Sequence, residues 1–309
     1  MEWWHAIVLG LVEGITEYLP ISSTGHLIIT SSLLGLDAPA TKQAVDDFNI
    51  VIQGGAILAV LGLYRARVAQ MIRGLFGHDP AGLRLFVNLV VAFLPAAVVG
   101  FLLHDLIERY LFFPVPVLLA LAVGGVYMMA LEQWRRGRFG IPSHGNRRGI
   151  DDVTIKQAFG IGCLQCIAMW PGTSRSMMTI TGGYLAGLAP AAAAEFSFLL
   201  GLPTLGAASV YSLLKNLKHA RDTGTPNLFE NLGAPATLLG IAFAAVSAAV
   251  AVKWLVGFLN RHGLAAFGWY RLALCVVMGL LIWRGVVRIA PEETAAKAPG
   301  ASAASVDSH

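Results

Sequence analysis

Charge is scarce in this chain. Of its 309 residues only 13% are Asp, Glu, Lys or Arg, against roughly 25% in soluble domains, while 56% are hydrophobic and the mean hydropathy is +0.66. A soluble globular domain is thereby excluded, and an integral membrane protein is indicated. Cysteine is scarce too, with three residues in all. Cys163-Leu164-Gln165-Cys166 is formally a C-x-x-C, but it lies in an apolar run without a βαβ pattern, so with Cys275 it reads as packing rather than redox or metal chemistry. Neither a P-loop nor a dinucleotide fingerprint occurs. The amino terminus lacks a basic n-region, so no cleavable signal peptide is expected. The net charge of +4 and pI near 9.1 come from Lys and Arg between the apolar runs. They read as topology signals and contacts to anionic lipid headgroups, not as nucleic-acid binding.

What the chain has in abundance is long apolar sequence. Runs near 46–64, 85–104, 114–133, 192–214, 235–258 and 268–287 each approach the ~20 residues that a spanning helix needs. Two further apolar stretches, 3–34 and 153–190, are interrupted by Pro20 and by Pro171-Gly172 beside polar clusters. These read as re-entrant helical hairpins whose breaks line an internal pocket, because non-helical backbone at membrane depth must be enclosed by protein or face a water-filled cavity. The expected fold is therefore an all-α polytopic membrane protein, six spanning helices plus two re-entrant hairpins.

The order of one hairpin and three spans occurs twice, which divides a single membrane domain into repeats over 1–152 and 153–289, followed by a disordered tail from 290 to 309. An odd number of spans per repeat makes the second copy inverted. Aligning Pro20 with Pro171 pairs Ser22 and Ser23 with Thr173 and Ser174, but matches Glu13 with Gln165 only if one residue is skipped. With the 65–84 loop placed inside, the cytoplasmic side gathers most of the cations, among them Arg65, Arg67, Arg135, Arg148, Lys156 and Arg271. The first hairpin then enters from outside, the second from the cytoplasm, and their tips meet.

Inside these apolar surroundings lie groups that are costly in lipid. Glu13 and Glu17, four apart, share a helix face, where like charges repel unless a cation or a shared proton lies between them. Mg²⁺ or Ca²⁺ suits that pair. Ser22-Ser23-Thr24-Gly25-His26 offers hydroxyl nucleophiles and a base, although Ser22 alone reads as a helix cap. Arg175, beside Ser174 and Ser176, suits capture of phosphate oxygens; an ion pair with Glu195 or with the glutamate pair is the plainer reading. Gly54-Gly55, Gly182-Gly183 and the Ala run 191–194 read as close helix packing, permitting a homodimer without demanding one. Inverted repeats around central charges are also transporter architecture, so a secondary transporter or lipid translocase is the alternative to an enzyme.

The string Glu13-Gly14-Ile15-Thr16-Glu17-Tyr18-Leu19-Pro20-Ile21-Ser22-Ser23-Thr24-Gly25-His26, with Pro171-Gly172-Thr173-Ser174-Arg175-Ser176 and the segment Asp47 to Val60, resembles the undecaprenyl-diphosphatase family of bacitracin-resistance proteins over nearly the whole chain. The resemblance implies a bacterial inner-membrane hydrolase, opening toward the periplasm, that converts undecaprenyl diphosphate to undecaprenyl phosphate and inorganic phosphate for peptidoglycan synthesis. It implies Glu13, Glu17, Ser23, His26, Arg175 with Ser174 beside it, and Thr179 as active-site residues; joined to the chemistry read above, Glu17, Ser23, His26 and Arg175 are expected to be catalytic, Ser22, Thr24, Ser174 and Thr179 substrate-binding, and Glu13 with Glu17 ligands of the divalent ion. Met177 departs from the family, many members of which have Gly there. The mechanism expected is activation of Ser23 by His26, with a His26-activated water as its rival.

Overall fold

The computed structural model describes residues 2–137, 148–224, 233–287 and 289. The tail expected from 290 onward lies outside the described residues. Eleven α-helices are described: α1 (Trp3–Glu17), α2 (Ser23–Leu33), α3 (Pro39–Leu63), α4 (Arg65–Leu75), α5 (Pro80–Leu111), α6 (Pro114–Arg135), α7 (Ile155–Ile167), α8 (Arg175–Leu185), α9 (Pro190–Thr223), α10 (Ala234–His262) and α11 (Ala265–Trp283). Six of them are long and apolar enough to cross a membrane: α3, α5, α6, α9, α10 and α11. The protein is thus all-helical and multi-pass. Their starts follow simple chemistry. Proline occupies the first turn of α3, α5, α6, α9 and α10, where its missing N–H costs nothing. Asp79 caps α5 by accepting from the Gly82 N–H at 2.9 Å.

The stretch 65–84, expected as a loop, contains α4. This helix buries Met71 and Gly74 while Ile72, Leu75 and Phe76 stay exposed beside Arg65 and Arg73, a composition suited to a membrane surface. The last span ends at Trp283, earlier than the apolar run, because Gly285 turns the chain at φ +71°.

Both interrupted stretches form pairs of short helices, α1 with α2 and α7 with α8. Helix α1 packs chiefly on α10, also touching α3, while α7 lies on α5 and α8 on α9. Small residues allow the α1–α10 approach: a Cβ on Gly10 would strike the Gly240 carbonyl, and one on Gly14 would strike Ser247 and Ala244. Gly55 meets Ile241 in the same manner, in line with the packing role read from Gly54-Gly55, whereas a Cβ on Gly54 would meet nothing, so that residue makes no close packing contact.

The two breaks share an unusual detail. Ser22 (φ +74°) and Ser174 (φ +78°) are the non-glycine residues with positive φ among those described, and each caps the following helix, accepting from the Gly25 and Met177 N–H groups at 3.3 Å. The shift along the chain that carries Ser22 onto Ser174 also carries α2 onto α8, both of 11 residues, and Gly35 (φ +68°) onto Gly187 (φ +84°). It places Glu13 opposite Gln165 without a gap and Ser23 opposite Arg175. Under that shift the cap serines, not the prolines, fall opposite one another, one residue off the alignment through Pro20 and Pro171.

Candidate active site

The breaks meet side by side. Arg175, the first residue of α8, donates from Nη2 to Glu17 Oε1 at 3.0 Å and from Nη1 to the Ser197 carbonyl on α9 at 2.9 Å. The other carboxylate oxygen of Glu17 accepts from the Ser23 hydroxyl at 2.8 Å. One carboxylate at the end of α1 therefore bridges the guanidinium of one break and a hydroxyl of the other. Ser176 adds a second tie across the breaks, donating to the Leu19 carbonyl at 2.8 Å, and is joined by the Ser174 hydroxyl at 3.0 Å. Arg175 also lies 5.5 Å from the centre of the Tyr18 ring.

Burial makes these contacts consequential. Glu17 is 7% exposed and Glu13 2%, and both face inward from α1. Glu13 has no hydrogen-bond or ion-pair partner among the described residues, and the Arg175 Nε–H is buried without one. An orphaned carboxylate one helical turn from Glu17 fits a divalent cation, which takes hard oxygen ligands from one or two carboxylates and the rest from substrate and water. No group of three or more His, Cys, Asp or Glu side chains gathers among the described residues, so the protein itself does not form a full cage.

The expected residues distribute as follows. Thr179 is fully buried, its hydroxyl donating to the Arg175 carbonyl at 3.0 Å and meeting the Ser197 hydroxyl at 2.6 Å, so it steadies Arg175 instead of facing an opening. Ser22 is buried as a cap, the plainer of its two readings. Thr24 and Ser174 are half-buried at the starts of α2 and α8. His26 does not touch Ser23: Nδ1 is 2.7 Å from the Ser22 carbonyl and Nε2 is 2.7 Å from the Tyr270 hydroxyl, while the Ser23 hydroxyl is directed to Glu17. Glu195 pairs with Arg67 at 2.8 Å, not with Arg175.

Arg271 requires a correction. Counted with the cytoplasmic loops on charge alone, it is 0% exposed inside α11, where it donates to the carbonyls of Gly172 and Thr173 in the second break and of Ala120 and Leu121 on α6. A Cβ on Gly124 would lie 2.5 Å from its Nη2, so glycine there makes the room. Its signal was present in the sequence, a lone Arg within an apolar run; Ser197 and Tyr270 carried none, because a Ser or Tyr in a span is common.

A model of the family described as bacitracin resistance protein BacA matches residues 6–277. A protein named undecaprenyl-diphosphatase from Sorangium cellulosum is 47% identical over 283 residues, covering 92% of this chain and 86% of its own. Proteins of the same name from Pseudomonas aeruginosa (47% identical, 91% and 94% covered) and Azotobacter vinelandii (45%, 93% and 98%) align over similar lengths. With a family match that runs from residue 6 to 277, and so spans both breaks, the chain belongs to the BacA bacitracin resistance protein family.

Proposed function

We infer that this protein is an undecaprenyl-diphosphatase that hydrolyses undecaprenyl diphosphate to undecaprenyl phosphate and inorganic phosphate, with bacitracin resistance as the cellular consequence. The observation that carries the chemistry is Glu17, held on one oxygen by Arg175 and on the other by Ser23. Glu17, rather than His26, stands where it can take the Ser23 proton. In the first step Ser23 Oγ bonds to the terminal phosphorus, the bridging P–O bond breaks with its electrons going to the lipid phosphate, and the hydroxyl proton passes to Glu17. In the second, water bonds to phosphorus and the Oγ–P bond breaks. Glu17 returns its proton to Oγ while His26 takes one from the water. Arg175, with its unpartnered Nε–H, draws the charged oxygens, and Ser174 and Thr24 border the same space. Glu13 and Glu17 would hold Mg²⁺ or Ca²⁺, which when bound supplies charge neutralisation on the diphosphate.

The two short helix pairs act as re-entrant hairpins of an inverted repeat in this reading. The matched capping serines and the equal lengths of α2 and α8 support it. The site then opens toward the periplasmic side of the bacterial inner membrane, with the isoprenoid tail between spans.

The test is phosphate release from undecaprenyl diphosphate by the purified protein, with and without chelator, for the wild type, Glu17→Ala and Arg175→Ala. Metal-dependent release that is lost in both variants is the expected result; no release from folded wild type sinks the hydrolase reading. Recovery of labelled phosphate on Ser23 decides between the serine and a direct attack by water.

A further inference from the structure

Resting on that reading, we propose that Tyr270 is a positioning residue for the hydrolysis, acting through His26. Two contacts hold the imidazole. The Ser22 carbonyl, 2.7 Å from Nδ1, can only accept, so Nδ1 carries the proton. In the neutral ring Nε2 is then a bare acceptor, and the Tyr270 hydroxyl at 2.7 Å donates to it. The two rings lie parallel, 4° between planes and 5.7 Å between centroids, so the imidazole plane is fixed as well as its tautomer. Tyr270 thus keeps the Nε2 lone pair directed away from Ser23 and toward its own side of the site. Tyr270 is 45% exposed, whereas Glu17 is buried. The arrangement separates two bases: Glu17 for the serine, and His26, its ring held in place by Ser22 and Tyr270, for the water of the second step.

Sequence neighbours extend the argument. Arg271, next along α11, grips the carbonyls of the second break. Consecutive residues of one helix therefore fix a group from each break, Tyr270 the imidazole of α2 and Arg271 the turn before α8. A tyrosine with only a packing role needs no hydroxyl here.

The test is Tyr270→Phe, which keeps the ring and removes the donor, read in the full-length protein in two ways. In ¹⁵N-histidine-labelled protein, with the His26 signals identified by comparison with His26→Gln, the substitution is expected to shift the Nε2 resonance while Nδ1, held by the Ser22 carbonyl, keeps its proton. In the phosphate-release assay kcat falls about tenfold, the order of one lost hydrogen bond near 1.4 kcal/mol, with KM within about twofold. Tyr270→Phe in a His26→Gln background then adds no further loss. An unmoved Nε2 resonance, an unchanged kcat, or additive losses in the double variant each overturn the proposal. Should the wild type release no phosphate, the hydrolase reading fails while the resonance still decides whether the Tyr270 hydroxyl holds His26 at Nε2.

Discussion

At Glu17 three demands meet in one carboxylate, and each can be probed separately. Removing it by Glu17→Ala leaves the Arg175 guanidinium buried with only the Ser197 carbonyl as a fixed acceptor, and breaking a buried pair in this way costs about 3–5 kcal/mol. Both phosphate release and the unfolding temperature are expected to drop in that variant. Ser23→Ala differs. Its hydroxyl is one hydrogen bond at a half-buried position, so stability should fall by only about 1 kcal/mol while labelled phosphate is no longer trapped on the chain. Among the described residues Glu13 has no hydrogen-bond or ion-pair partner to lose. Glu13→Gln should leave the fold intact and raise the Mg²⁺ concentration needed for half-maximal release, a titration that separates a metal ligand from a structural carboxylate. Thr179→Val strips the Ser197 and Arg175 contacts without touching the substrate, and a loss of activity about as large as that of Arg175→Lys would show that it works by steadying the arginine.

The helices are joined to their surroundings by small residues and caps. Replacing Gly14 on α1 with Leu drives a side chain into Ser247 and the Ala244 carbonyl of α10, and the resulting separation should displace Glu13 and Glu17 together. Loss of phosphate release with a lowered unfolding temperature is expected, whereas Gly62→Leu, whose Cβ meets nothing, should be close to neutral. Asp79 at the start of α5 gives a pH prediction. The Gly82 N–H holds its carboxyl below the usual range, so its share of stability is present above the pKa of the unfolded carboxylate and is lost as pH falls through the lower folded value. Unfolding of Asp79→Ala should therefore differ from wild type at neutral pH and converge with it in strong acid.

Across the molecule, charge collects at one end. Arg67 joins Glu195 of α9 and Asp151 before α7, and Glu132 receives Arg135, Arg136 and the Leu264 N–H at the junction of α10 and α11. Burial disfavours the Arg67 charge, but Glu195 and Asp151 together outweigh that and raise its pKa. Placing this end in the cytoplasm agrees with the Lys and Arg bias, and it puts Phe76 of α4 inside and Asp37, between α2 and α3, outside. In a cysteine-free background, an impermeant maleimide should label Asp37→Cys in intact spheroplasts and Phe76→Cys only after lysis; the reverse pattern inverts the topology.

Hydropathy by itself determined that six helices span, because ~20 apolar residues can satisfy their backbone in lipid only as helix. The same logic located the site: Glu13, Glu17, His26 and Arg175 are too costly in lipid to lack a purpose, and their local spacing was readable in one dimension. Pairing was not. Whether Arg175 meets Glu17 or Glu195, whether Ser23 gives its hydrogen to His26 or Glu17, and whether Arg271 lies in a loop or at the centre all depend on contacts between residues far apart in the chain or on the direction of a side chain after a break. The breaks show the same division, since the prolines marked them in sequence and only the folded chain shows that each ends on a positive-φ serine capping the next helix. Sequence records the cost of placing a group in the membrane; tertiary structure decides which neighbour offsets it.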